Sequence, residues 1–123
     1  MSFLTHLFSM VLHKKIQARF YELASGRKPV REWLLELSAD DCRAVGYDIQ
    51  TVEFGWPIGM PVCRPLGHGL YEVRSYLSDG RIGRVLFCII GGEMVLLHGF
   101  VKKTQKTPPA DLALAVKRMK EIS

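Results

Sequence analysis

Apolar and polar residues alternate through residues 15–22 (KIQARFYE), with Ile16, Ala18 and Phe20 on one side and Gln17, Arg19 and Tyr21 on the other. A period of two predicts a strand. The turn Ala24-Ser25-Gly26-Arg27-Lys28 closes it, and the period then changes. Over residues 29–37, Val30, Trp33, Leu34 and Leu37 recur at i, i+3, i+4 and i+7 behind Pro29, whose ring suits the first turn of a helix. Ser38 with Asp41 three residues on resembles a capping box, and Cys42, Val45, Ile49 and Val52 carry a second helical stripe until Gly55-Trp56-Pro57 stops it. Two helices this close in sequence predict a helical hairpin.

Residues 58–69 (IGMPVCRPLGHG) hold two prolines and three glycines and show no usable period, which predicts an irregular connection. Three strands are expected next. LYEVRSYL (70–77) precedes Ser78-Asp79-Gly80, RVLFCII (84–90) is β-rich, and Gly91-Gly92 forms a tight turn before EMVLLHGFV (93–101). The three should form an antiparallel meander. After residues 102–106, Thr107 is placed to cap a last helix with Pro108 and Pro109 in its first turn and Leu112, Ala115, Val116, Met119 and Ile122 as its buried stripe. The expected class is α+β, a small antiparallel sheet in the order βααβββα with a helical hairpin and a C-terminal helix.

Length and composition bound this picture. The chain has 123 residues, enough for one domain and one core, and 48% of them are hydrophobic. Residues 1–14 read as a separate N-terminal extension and 15–123 as the domain. The run FLTHLFSMVL (3–12) is apolar but interrupted by Thr5, His6 and Ser9, and it is half the length of the roughly 20 residues that span a membrane. An extra amphipathic helix, with no membrane contact, is the expectation. Cys42, Cys63 and Cys88 are odd in number and never spaced as CxxC, so neither a disulfide framework nor a zinc knuckle is suggested, and the cytoplasm is the expected compartment.

Charge adds a location to the net +5. Residues 64–106 hold Arg64, Arg74, Arg81, Arg84, Lys102, Lys103 and Lys106 against only Glu72, Asp79 and Glu93. An excess concentrated in one stretch is the footprint of a phosphate-bearing or acidic partner. Arg74, Arg84 and the Lys102/Lys103 pair stand at the ends or edges of successive predicted strands, which lie about 5 Å apart in a sheet, so they can converge on one phosphate. Prearranged cations of this kind stabilise a phosphoryl transition state. Solvated surface charge is the plain alternative. His68, between two glycines, and His98, inside the last strand, are the histidines of the basic half, and imidazole is matched to moving a proton near neutral pH. Glu72 is a candidate base or an ion-pair partner of a neighbouring arginine. Tyr71 and Tyr76 are candidates for stacking on bases or for packing. HExxH, GxxxxGK[ST], GxSxG and GxGxxG are missing, and carboxylates are too sparse in the basic half for a two-metal nuclease, so no metal or cofactor is expected.

Taken together, GLYEVR (69–74), DGR (79–81), RVLF (84–87) and LHGFVKKTQKTP (97–108) resemble the phage-derived HigB-like branch of the RelE/ParE toxin superfamily. The Ala24-Ser25-Gly26 turn followed by Val30, Trp33 and Leu34 fits the same branch, and the likeness covers residues 15–122. The resemblance implies a RelE-like fold, a toxin restrained by an antitoxin of the helix-turn-helix, HigA-like kind, and metal-independent cleavage of mRNA in the ribosomal A site, where the ribose 2′-hydroxyl attacks the adjacent phosphate. By motif position it implies Arg84 as the transition-state arginine, Arg74 as a basic residue of the preceding strand and Lys103 as the basic residue after the last strand. Arg64, His68, Arg81, Lys102 and Lys106 complete the expected RNA-binding face. A C-terminal catalytic tyrosine is lacking, since Pro108 and Pro109 stand about where it would fall, so His98, His68 and Glu72 all stay open for proton transfer. Two other readings remain: a ParE-like protein that binds gyrase without catalysis, and a decayed toxin that only binds its antitoxin.

Overall fold

The computed structural model describes residues 13–102 and 106–122. The expected N-terminal extension therefore lies almost entirely outside the described residues, as does Lys103. In chain order the elements are β1 (Gln17–Phe20), α1 (Pro29–Glu36), α2 (Ala39–Gly55), β2 (Cys63–Gly67), β3 (Leu70–Tyr76), β4 (Ile82–Ile90), β5 (Glu93–Lys102) and α3 (Pro109–Ile122). Among the described residues the sheet has five strands in the order β1-β5-β4-β3-β2.

Two features differ from the sequence-based expectation. Residues 63–67 form a strand antiparallel to β3 where an irregular connection is expected. Pro65 masks it, yet a proline is tolerated because β2 is an edge strand whose missing N–H faces away from the ladder. The sheet is also mixed, because β1 pairs parallel with β5, Gln17 opposite Glu93 through Phe20 opposite Leu96. A parallel pair needs a long connection, and here almost the whole domain intervenes. Glu53 near the end of α2 holds the entry to β1: its carboxylate accepts from Ala18 N–H at 2.7 Å and pairs with Lys14 at 3.0 Å, and its carbonyl accepts from Lys15 N–H. The antiparallel meander of β3, β4 and β5 is present as expected.

Ser38 caps α2, its hydroxyl accepting from Asp41 N–H at 3.1 Å. Both α1 and α2 lie on one face of the sheet, α1 chiefly against β5 and α2 against β3. Val30, Val45, Ile49, Val52, Val73, Val85, Phe87, Met94 and Leu96 make the core on this side. α3 covers the other face over β5 and β4, where Leu70, Leu86, Cys88, Val95, Leu97 and Ala115 are buried. Arg118 donates to the Leu97 carbonyl at 2.8 Å, and the buried Tyr21 hydroxyl donates to Glu121, so both ends of the helix's last turns are tied down. Thr107 is not the residue next to this helix: α3 starts at Pro109, and Leu112 N–H donates to the Pro108 carbonyl.

One irregularity in β5 decides what the second face presents. Leu86 stands opposite His98, but Phe87 stands opposite Leu96, so Leu97 is an extra residue in the strand. A bulge of this kind reverses the alternation beyond it. Met94 and Leu96 point to the α1/α2 side, and after the bulge it is Gly99 and Val101 that do so, while His98, Phe100 and Lys102 turn to the α3 side. Trp33 of α1 seals the arrangement: a Cβ on Gly99 would lie 2.4 Å from its ring. Among the described residues no helix is long and apolar enough to cross a membrane.

Candidate functional site

Cross-strand register assembles the site. On the α3 face, Arg64, Glu72, Leu86 and His98 form one row across β2, β3, β4 and β5, and Arg74, Arg84 and Phe100 form the next. α3 covers only part of these rows, and where its cover stops the face turns from apolar to charged.

Glu72 is the centre of the charged part. Its Oε1 lies 3.7 Å from both Arg64 and Arg74, and its Oε2 lies 3.6 Å from Arg84. Thr107 completes the cluster, its hydroxyl donating to Glu72 Oε2 at 2.7 Å and accepting from Arg64 at 3.1 Å. Three guanidinium groups thus share one carboxylate, and the group carries an excess of positive charge. Glu72 and Arg84 are fully buried and Arg74 nearly so, whereas the Arg64 side chain is 30% exposed. Arg64 is the member that meets solvent, and the others stand behind it. Burial pushes Arg84 below the usual guanidinium range, with Arg74 and Arg64 acting in the same sense and Glu72 opposing them. Even so lowered, an arginine keeps its charge. Beneath the cluster, burial with the added repulsion of Glu72 pushes the Cys63 thiol up to about 11, which makes it inert as a nucleophile.

His98 is held differently. Its Nε2 lies 2.6 Å from Asp111 Oδ1 in the first turn of α3, and its ring stacks on Phe100 with centroids 5.4 Å apart and planes at 22°. Lys102 is exposed at the end of the same strand. Tyr76, 69% exposed, ends β3 opposite Ile82, which in turn faces Lys102, so it shares this face. Tyr71 does not: it packs with Trp56 and Phe87 on the opposite side.

The structure therefore gathers Arg64, Glu72, Arg74 and Arg84 into one cluster and sets His98 and Lys102 on the same face. Arg81 stands apart. It sits beyond the turn from β3 to β4, bonded to Asp79 at 2.7 Å and paired with the buried Asp41 at 3.3 Å, while Asp41 also accepts from Ser78 N–H and Oγ. These partners occupy Arg81 in tying the turn to α2. His68 occupies the β2–β3 turn with φ of 56°, exposed, and Lys106 is exposed ahead of α3. Thr107 and Asp111 escape the sequence reading as site residues. The first looks like a cap from its place before two prolines, and the second is one of many acids that favour a helix's first turn. Among the described residues no three His, Cys, Asp or Glu side chains converge as a metal site would require.

The model of one protein family, described as phage-derived protein Gp49-like (DUF891), matches residues 32–120, a span that contains the whole cluster, His98 and Asp111. No curated protein matches the chain.

Proposed function

The chain belongs to the phage-derived Gp49-like family, a family of RelE/HigB-like toxins, and from that premise we propose that it is the toxin of a type II toxin–antitoxin pair that cleaves mRNA on the ribosome without a metal ion. The observation that carries the reading is the convergence of Arg64, Arg74 and Arg84 on Glu72, on the sheet face that also bears His98.

In this reading the ribose 2′-oxygen attacks the adjacent phosphorus as the bond to the 5′-oxygen breaks. Charge builds on the non-bridging oxygens, and cations already in place stabilise it without reorganising. Arg64 approaches the phosphate directly, and Arg74 and Arg84 add field from behind. Glu72, shut from solvent among three guanidinium groups, serves as their counter-charge and keeps them together. His98 takes the proton of the 2′-hydroxyl. The departing 5′-oxygen takes a proton from water, and the hydroxide so formed returns imidazole to its neutral state. The products carry a 2′,3′-cyclic phosphate and a 5′-hydroxyl. Lys102, Lys103 and Lys106 supply backbone contacts to RNA. The antitoxin expected is a small helix-turn-helix protein of the HigA kind, and the compartment is the cytoplasm, where ribosomes are.

Expression without an antitoxin should arrest growth, and the purified protein should cut mRNA on translating ribosomes. With ribosomes kept intact, chelation should leave the rate unchanged. Loss of cutting on chelation with recovery on added manganese would overturn the metal-free step, and normal growth with soluble protein present would overturn the toxin reading.

A further inference from the structure

His98 is gripped from two directions, by the Asp111 carboxylate on one edge at 2.6 Å and by the Phe100 ring on one face. A carboxylate only accepts, so the proton of the neutral ring is on Nε2 and the lone pair is on Nδ1. Asp111 comes from a different element, the first turn of α3, and both side chains are about four-fifths buried, at 17% and 21% exposure. The bulge at Leu97 turns the ring to the arginine face in the first place. A histidine whose tautomer is set by a carboxylate from another element, and whose ring plane is set by a neighbour on its own strand, is built to a function beyond filling space.

We infer that Asp111 is a positioning residue for RNA cleavage, holding His98 so that Nδ1 receives the 2′-hydroxyl proton. The inference rests on the nuclease reading of the same face. Asp111 keeps its bond to Nε2–H as the proton arrives at Nδ1, the orienting part a buried aspartate plays behind the histidine of a serine protease. An asparagine in its place can donate to Nε2 and thereby select the wrong tautomer.

The test has two arms on the full chain. In nitrogen-edited proton NMR, the parent should show a His98 Nε2–H signal at low field and shielded from exchange, and Asp111→Asn should lose it. On translating ribosomes, Asp111→Asn should lower kcat by about 10²- to 10⁴-fold with KM within about threefold, and Asp111→Glu should recover part of the loss. The double variant with His98→Gln should be no slower than His98→Gln alone, because the two act as a unit. A folded Asp111→Asn protein that cuts as fast as the parent overturns the inference and leaves the nuclease reading standing. A parent that cuts no RNA overturns both, whatever the NMR signal.

Discussion

On the face under α1 and α2, Val73, Val85, Phe87, Met94 and Leu96 run on from strand to strand, whereas on the face under α3 the apolar run of Leu70, Leu86, Cys88, Val95 and Leu97 gives way within one residue pair to Glu72, Arg74 and Arg84. Both regions are equally shut from water. Val85, on one side of β4, and its neighbour Arg84, on the other, are each 0% exposed. Burial alone therefore does not mark a core. What distinguishes the two is whether the buried groups satisfy one another by contact or by charge, and a charged interior holds a field that an apolar one lacks.

The largest effects should come from deleting the centre of either face. Glu72→Ala leaves three guanidinium groups without their shared carboxylate and should cost about 3–5 kcal/mol by urea unfolding, with cutting lost as well. Phe87→Ala on the other face should cost a comparable 3–5 kcal/mol by emptying its site, but leave the activity of the folded fraction intact. Equal loss of activity in both would dissolve the distinction between the faces.

A smaller effect tests the bulge that separates them. Gly99→Ala drives a methyl to 2.4 Å from the Trp33 ring, and overpacking of this kind should cost about 1–3 kcal/mol, read as a fall in Tm. A variant as stable as the parent would contradict the reversed phase of β5 and, with it, the placement of His98.

Smaller still is the contrast of two arginines. Arg64→Ala should raise KM and lower the salt slope of ribosome association by about one phosphate contact, with Tm little changed. Arg81→Ala, which loses Asp79 and Asp41 instead, should lower Tm and leave KM alone. The opposite pattern would move the RNA face to the β3–β4 turn.

The last effect concerns α2. Burial raises the Asp48 carboxyl above its usual range, the Ser75 side chain opposing more weakly. A carboxyl raised in the folded state binds its proton more tightly there, so its contribution is full below the unfolded value and lost as pH rises through the folded one. Asp48→Asn should therefore raise Tm at neutral pH, the gain disappearing as pH falls into the carboxylate range.

Much of this arrangement was legible from periodicity. The shift from a period of two to a helical stripe after Gly26, the Ser38 cap and the Gly91-Gly92 turn all correspond to observed elements. β2 was not, because Pro65 and the glycines around it speak against a strand and only pairing with β3 supplies one. Arg74 and Arg84 could be picked out as cations near strand edges and Arg64 only as one residue of a basic stretch, yet their burial around Glu72 could not, since burial of charge depends on partners up to 43 residues apart, as Arg64 and Thr107 are. His98 sits in a sequence, LLHGF, whose alternation alone would put it in the core. One bulge reverses that, and nothing local in the sequence announces it.

The central claim, that the charged part of the α3 face cuts RNA by attack of the 2′-oxygen, is tested most directly by the chemistry of the new ends. Translating ribosomes should be incubated with the purified protein and the mRNA fragments mapped at single-nucleotide resolution, with 5′-hydroxyl and 5′-phosphate ends captured separately. The account predicts ends that fall within the A-site codon, carry 5′-hydroxyls and disappear with His98→Gln. Fragments bearing 5′-phosphates, or no new ends at all from a folded parent, would contradict it.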